Sequence, residues 1–443
     1  MKAALFYGPR DYRVERIPDP ACGPSDILIE VKANAVCGTD VKAYQSGHSL
    51  IRSYPVITGH ELAGVAVEVG EKVRDFEVAG ERRRFHKGQR LVVAPVVACE
   101  RCSNCKAGRP EMCERREDVG FKYNGGYAEM MLIPGELLSK GICPVWEIPE
   151  GVPYWTAAVC EPAACAIHAQ KKMARFGGWD KEAQGYPATT EILPGDVVVV
   201  IGGGPLGLIH CELAKSSGAK VILAQRSRHK LEWAEAEGVA NRYALNSKEG
   251  ELERVVGEVS GGAGADIVIT SCPDPGAQVQ AVAIARRGGC VSFFGSIPKE
   301  AGKEALVPLP TNVIHNNGPA LVGTSGASPY HIPIALLLAG RGSLSLDRYI
   351  THLFPLELLE RVLMTRWMAS EEDLSEVLGE KGNDFFEALV DAPRGELFGA
   401  LMELKGSIMK ALAVPSMDSE RGLVDLTSIP REEKRRVLAE LIS

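Results

Sequence analysis

Val197-Val198-Val199-Val200-Ile201-Gly202-Gly203-Gly204-Pro205-Leu206-Gly207 reads as a buried strand that runs through a glycine turn into a helix. Five consecutive β-branched residues suit a strand covered on both faces. Gly202 allows the tight turn, Gly204 lets the backbone approach a pyrophosphate, and Gly207 lets the helix pack closely on the strand. Pro205 and Leu206 open that helix, whose first N–H groups and dipole favour phosphate oxygens. The glycine spacing alone is a weak signal. Its place between a strand and a helix makes it a candidate dinucleotide loop, with a plain structural turn as the lesser alternative.

Reading outward, apolar strands alternate with helical stretches. Lys220–Ala224 and helix His229–Glu237 come next, then strands at Asp266–Thr270, Cys290–Phe294 and Ala320–Gly323. This rhythm predicts an α/β unit with a doubly wound parallel sheet. Its second strand ends Val221-Ile-Leu-Ala-Gln225-Arg226-Ser227-Arg228, where an NAD-binding chain usually carries Asp or Glu for the adenosine ribose. With Gln225 in that place, repulsion of a 2′-phosphate is removed, and Arg226 or Arg228 can pair with it. The expectation is NADP favoured slightly over NAD, a basic surface turn with NAD still bound being the alternative.

Before Pro162 the texture differs. Short strands such as Ile27–Lys32, Leu62–Val69, Arg90–Ala94 and Tyr127–Ile133 lie between glycine and proline turns, predicting a mostly β, barrel-like unit. After about Ser328 the chain becomes helix-rich, with amphipathic runs at Leu356–Met368 and Glu371–Val390 and a final helix Arg431–Ile442 behind Pro430. Ala79–His86, with three consecutive arginines, and Gly177–Glu191, with Trp179 and Tyr186, read as surface insertions. The arginines are expected in a solvated loop.

The chain has 443 residues, long enough for two or more domains, and 50 Lys+Arg against 57 Asp+Glu give a net charge of −7. No long basic run offers a general grip on nucleic acid or an anionic membrane, so neither is expected as a partner. No apolar run approaches a bilayer span and no signal-peptide core precedes the first strand, so a cytoplasmic protein is expected. Its twelve cysteines then read as metal ligands and thiols rather than disulfides. Cys99-x2-Cys102-x2-Cys105-x7-Cys113 sets four thiols on one compact loop, which suits a closed tetrahedral zinc site of structural type. A redox or iron–sulfur cluster is the alternative; a nucleic-acid finger is disfavoured because no recognition helix follows.

Three further segments, Cys37-Gly-Thr39-Asp40, Gly59-His60-Glu61 and Cys160-Glu161-Pro162, each carry a possible zinc ligand, and each alone is weak. Together with Gly59-His-Glu-x2-Gly64-x5-Gly70-x2-Val73, the four-cysteine lobe and Gly125-Gly-Tyr-Ala-Glu129, they resemble the zinc-dependent alcohol dehydrogenases of the medium-chain dehydrogenase/reductase family. The likeness extends over roughly residues 1–365. It is greatest to the sorbitol and threonine dehydrogenase branch, through Glu161-Pro-Ala-Ala-Cys-Ala-Ile-His168.

The resemblance implies a GroES-like β-barrel catalytic domain over 1–161 and a Rossmann coenzyme domain over 162–328. Residues 329–443 would return to the catalytic domain and add a helical C-terminal extension. It also implies two zinc ions per chain and a small-molecule alcohol or carbonyl substrate. Cys37, His60 and Glu161 would hold the catalytic zinc, with Glu61 as an exchangeable ligand or nearby carboxylate. Cys160 is a rival for the place of Glu161, and His168 would be packing. Thr39 stands at the family's first proton acceptor. Lys42 replaces the histidine many relatives use next, so the onward path runs through Lys42, His48 or water. The expected reaction is oxidation of a secondary alcohol of polyol, sugar-alcohol or amino-alcohol type by hydride transfer to NAD(P). Another reaction, such as aminocyclitol oxidation or epimerisation, and a non-catalytic nucleotide and zinc binder are the alternatives. A homodimer or homotetramer is expected, with the C-terminal tail and the Gly177–Glu191 insertion as candidate contacts.

Overall fold

The computed structural model describes all residues except 79–80, 177–179, 183, 186, 298–303, 369–370, 383–384, 388, 391, 393–395, 409 and 443, and leaves out the side chains of 76–78, 81, 176, 371, 379, 398 and 406. The chain divides into two compact units, Met1–Glu161 with Ser328–Ser443, and Pro162–Ala327.

In the first unit, strand Ile27–Ala35 is the centre of an eight-stranded sheet. Along it lie Val145–Glu147, Arg90–Val93, Glu61–Val69, Ile27–Ala35, Lys410–Ala413, Ile350–Phe354 and Val424–Asp425, while Met130–Ile133 pairs with the first half of the central strand. Alternate residues of these strands (Ile27, Ile29, Val31, Leu91, Val93, Met131 and Ile133) turn inward and are buried together. The strand ends are therefore left for chemistry. His60 and Glu61 stand where the strand Glu61–Val69 begins, and Cys37 lies just past Ala35, opposite Glu61 in the ladder. A second sheet of three strands, Asp11–Arg16, Lys2–Gly8 and Val56–Ile57, packs its apolar residues with helix Leu359–Trp367.

The C-terminal additions pack on their own unit. Among the described residues of the run expected over Glu371–Val390, a helix covers Glu371–Lys381 and is stopped by Gly382 at φ 99°, a left-handed position that glycine adopts without strain. Helix Leu397–Ser407 was not expected, because two glycines interrupt its pattern; burial of Leu397 and Leu401 holds it. Helix Arg431–Ile442 buries Leu438 and Ile442, and Arg431 and Arg435 both pair with Asp347. Arg82 and Arg84 are exposed, as expected of a solvated stretch, with Arg82 paired to Asp75 at the surface, whereas Arg83 is half-buried over the Trp146 ring at 4.0 Å. Trp179 and Tyr186 lie outside the described residues.

The second unit is a six-stranded, all-parallel sheet in the order Arg242–Leu245, Lys220–Gln225, Val197–Ile201, Ala265–Thr270, Ala285–Phe293, Ala320–Gly323. Val197–Ile201 is buried throughout, as a central parallel strand must be. Order reverses beside this strand, which opens a crevice at its carboxyl end. Among the described residues no helix is long and apolar enough to cross a membrane.

Candidate metal centres and nucleotide cleft

Cys37 caps helix Gly38–Ser46. Its N–H donates to Asp40 Oδ2 at 2.9 Å, a reciprocal cap that fixes the turn carrying the thiol. Asp40 is 1% exposed; its carboxylate also accepts from Tyr127 Oη at 3.0 Å and lies 3.6 Å from His60 Nδ1. One buried carboxylate thus braces both the thiol loop and the imidazole. Cys37 Sγ, a ring nitrogen of His60 and a carboxylate oxygen of Glu61 lie within 4.8 Å of one another.

Burial alone would lower the His60 pKa, yet Asp40, Cys37 and Glu161 outweigh it and hold the ring well above its ordinary value. His60 Nδ1 is buried without a hydrogen bond. Sulfur, imidazole and carboxylate donors in an anionic pocket fit a zinc ion, which would displace the imidazole proton on binding.

Glu161 is buried in the first turn of helix Cys160–Gln170, and its charge reaches His60. Cys160 differs. Burial is the one cause pushing its thiol up, with no charged neighbour acting on it. His168 is buried on the same helix. Thr39 is half-buried with Oγ1 3.6 Å from Cys37 Sγ, whereas Lys42 is exposed one turn along. His48 is half-buried, and burial holds it below its ordinary value. The Phe121 ring packs against both His48, at 4.6 Å, and His60, at 5.2 Å.

Three residues of this centre carried no role in the sequence reading. Asp40 had a local signal, the capping-box spacing from Cys37. Lys410 had none: it is buried, forms an ion pair with Glu61 and donates to Val36 O at 3.0 Å from a strand far along the chain. Phe121 likewise comes from a loop whose path the sequence does not reveal.

In the lobe, Cys113 Sγ lies 3.5 Å from Cys99 Sγ and 4.0 Å from Cys102 Sγ, and Cys102 and Cys105 are 3.5 Å apart. A tetrahedron with Zn–S bonds of about 2.3 Å has edges of about 3.8 Å, so the four sulfurs have the size of a zinc site. Backbone N–H groups of Cys105 and Glu114 draw the Cys102 thiol down to about 6, toward the thiolate a metal needs.

In the second unit, Gly204 caps helix Pro205–Ser216, with Pro205 in its first turn. A Cβ on Gly207 would stand 1.8 Å from Gly202 O, while one on Gly204 would meet nothing within 4 Å. The first glycine is needed for packing; the second faces open space. That space is a cleft of about 350 Å³ lined by Gly202–Gly204, Gln225, Arg226 and Asp274. Its open helix end and close backbone approach fit a dinucleotide. Leu206 follows Pro205 on that helix, half-buried. Arg228 is not brought to this cleft: it opens helix Arg228–Ala236 and lines a separate cavity with Arg242 and Lys248.

Comparisons with known proteins agree with this geometry. The model for the alcohol dehydrogenase GroES-like domain matches residues 23–144, and that for the zinc-binding dehydrogenase matches 205–339. An uncharacterized zinc-type alcohol dehydrogenase-like protein of Haemophilus influenzae is 30% identical over 315 residues, 71% of this chain and 80% of that protein. The chain belongs to the zinc-dependent alcohol dehydrogenase family. A sorbitol dehydrogenase of Halalkalibacterium halodurans is 29% identical over 350 residues, 78% of this chain and 90% of the relative. The solved structure of a zinc-binding dehydrogenase from Sinorhizobium meliloti, bound to NADP, superposes with a TM-score of 0.70 at 26% identity, covering 94% of this chain and 99% of that one. The chain is thus an oxidoreductase acting on CH–OH groups of a small-molecule alcohol, with zinc and a nicotinamide cofactor. The GroES-like match lies within the first unit, and most of the zinc-binding dehydrogenase match lies in the second.

Proposed function

We propose that the chain oxidises a secondary hydroxyl of a polyol, sugar alcohol or amino alcohol, using NADP somewhat ahead of NAD. The convergence of Cys37, His60 and Glu61 on one buried point carries this reading. Two zinc ions per chain are proposed, one held by the four cysteines and one by Cys37, His60 and Glu161, with Glu61 as exchangeable ligand. When bound, the catalytic zinc supplies a Lewis acid for the alkoxide, and the nicotinamide supplies a hydride acceptor.

The chain's own residues then have distinct tasks. Asp40 holds His60 and the Cys37 turn in place. Lys410 pairs with Glu61 and keeps its carboxylate beside the metal ligands, within reach of exchange onto the metal. Thr39 accepts the hydroxyl proton beside Cys37. Thr39 gives up its own hydroxyl proton as it accepts this one, and the onward path to solvent runs through Lys42, His48 or water.

Similarity to a sorbitol dehydrogenase supports the polyol class, and the NADP-bound neighbour and Gln225 support NADP. Twelve cysteines with no disulfide between them suit a reducing cytoplasm. Exposed Tyr330, Ile334 and Leu337 around helix His331–Gly340 support a homodimer or homotetramer, which light scattering of the full chain checks.

The test is metal analysis together with nicotinamide absorbance on a panel of polyols and amino alcohols. Two zinc ions and turnover are expected; two zinc ions and no turnover on any panel member overturn the reading. Glu161→Ala should lose one zinc and activity, while Cys160→Ala should keep both. The reverse pattern transfers the ligand role to Cys160.

A further inference from the structure

The carboxylate that lines the nucleotide cleft does not come from the strand end where an NAD-binding chain carries its acid. Gln225 stands there, and its Oε1 is already used, accepting from the N–H of Arg226 at 2.6 Å and of Ser227 at 3.3 Å. The carboxylate comes from the opposite wall. Asp274 caps helix Pro275–Ile284, accepting from Ala277 N–H through Oδ1 at 3.3 Å. Its Oδ2 lies 2.7 Å from Arg226 Nη1.

The two loops at the carboxyl ends of strands Lys220–Gln225 and Ala265–Thr270 are therefore latched together by one ion pair, and both partners line the cleft. Asp274 is the anchored half, 26% exposed and fixed by its cap; Arg226 is the loose half at 69%. With Arg228 on a separate cavity, Arg226 is the arginine of this cleft among the described residues.

We propose that Asp274 sets the nucleotide preference of this cleft by competing with a ribose 2′-phosphate for Arg226. The proposal rests on the reading of the cleft as a nicotinamide dinucleotide site. A guanidinium has five donors in a planar fork, well matched to the oxygens of a phosphate. Asp274 occupies the Nη1 arm and adds a negative charge beside the place a 2′-phosphate would take. NADP has to displace that carboxylate, whereas NAD, with no phosphate there, leaves the latch closed. Asp274 thus acts through Arg226 as a positioning residue. It holds the selectivity for NADP to a small margin in a chain whose strand end would otherwise favour it strongly.

The experiment is titration calorimetry of the zinc-loaded full chain with NADP and with NAD. Asp274→Asn removes the charge and retains the helix cap, since Asn caps as well as Asp. It should tighten NADP about three- to tenfold and change NAD less than about twofold. Arg226→Gln should weaken NADP about tenfold or more, and in that background Asp274→Asn should bring no gain. Unchanged NADP binding in Asp274→Asn overturns the proposal. So does a gain that persists without Arg226, or a marked loss of NAD binding, which would make Asp274 a ribose acceptor. If the unmutated chain binds neither nucleotide, the cofactor reading falls and this proposal with it. Binding of both without an Asp274 effect removes the proposal alone.

Discussion

Lys410→Met tests whether the catalytic centre depends on a lysine supplied from the far end of the chain. The Lys410 and Glu61 side chains are 6% and 1% exposed, so water does little to screen the pair. Removing one partner of a buried ion pair costs about 3–5 kcal/mol, because the other charge stays buried without compensation. Val36 O also loses its Lys410 donor, a cost of about 1–3 kcal/mol that overlaps the first because the same ammonium serves both. We expect a net loss of about 4 kcal/mol in the first unit, read by urea unfolding of the zinc-loaded chain. Glu61→Gln added to Lys410→Met should return about 2 kcal/mol or more by removing the stranded charge. An internal control has the same chemistry without burial: Lys171 and Glu191 pair on the surface, 55% and 56% exposed. Lys171→Met should cost less than about 1 kcal/mol. Equal losses for the two lysine variants, or no recovery in the double variant, would refute the argument from burial.

Four other measurements bear on the site and its supports. Cys105→Ser should reduce zinc from two ions to one per chain and lower the melting temperature, since the lobe's buried residues beyond its sulfurs are few; unchanged zinc content would sink the structural-site reading. Gly204→Ala should fold normally but bind dinucleotide about tenfold more weakly, whereas Gly207→Ala should destabilise the fold, its Cβ meeting Gly202 O at 1.8 Å; calorimetry and melting curves separate the two effects. Burial pushes the Glu117 carboxyl up, but Lys122, Lys140 and Tyr123 outweigh it and bring it from 4.5 down to about 2. The stability it contributes is present above pH 4.5 and is lost as pH falls from there toward 2. Glu117→Gln should therefore flatten the acid limb of the stability profile, and an unaltered limb would contradict it. Asp347→Asn removes the charge on which Arg431 and Arg435 converge, so amide exchange in 431–442 should quicken relative to helix Gly38–Ser46; unchanged exchange would mean that Leu438 and Ile442 alone hold the tail.

What the sequence discloses here follows the range of the interaction. The four-cysteine lobe and the turn Gly202–Gly207 were legible because ligand spacing and turn chemistry are settled within about fifteen residues. The parallel sheet was legible because its central strands, Val197–Ile201 and Ala265–Thr270, are buried on both faces and read as apolar runs. Glu161 was preferred to Cys160 only through the register set by Pro162, because what distinguishes them is environment: the charge of Glu161 acts on His60, whereas burial alone acts on Cys160. Arg83 was misread because its partner, Trp146, sits on a different strand. Arg226 and Arg228 look equivalent in sequence, yet the helix that starts at Arg228 turns one of them away from the cleft.

The largest departure from sequence expectation, the stretch from 368 to 409, also shows how the site tolerates it. Lys410 must return beside the central strand in one register, with Leu412 opposite Ala35 and Ala413 opposite Asn34. A slip of one residue would turn Lys410 to the other face of the sheet and leave Glu61 unpaired. Closing a longer connection costs only about 0.6 kcal/mol per doubling of its length, so length by itself does not threaten that register. A long unanchored excursion would still expose apolar surface, and the described part of this one packs against its own unit. Leu374, Val377 and Leu401 are buried in the same cluster as helix Leu359–Trp367. Lys381 donates to Glu360 at 2.8 Å, and Arg10 reaches Glu376 while lying over the Trp367 ring at 4.5 Å. The first added helix is thus tied to helix Leu359–Trp367, and Lys405 of the second reaches back to Met368 O at the end of that helix. Extra length is accommodated where the chain can pack it, and the strand carrying the lysine re-enters the sheet in the one alignment the metal centre requires.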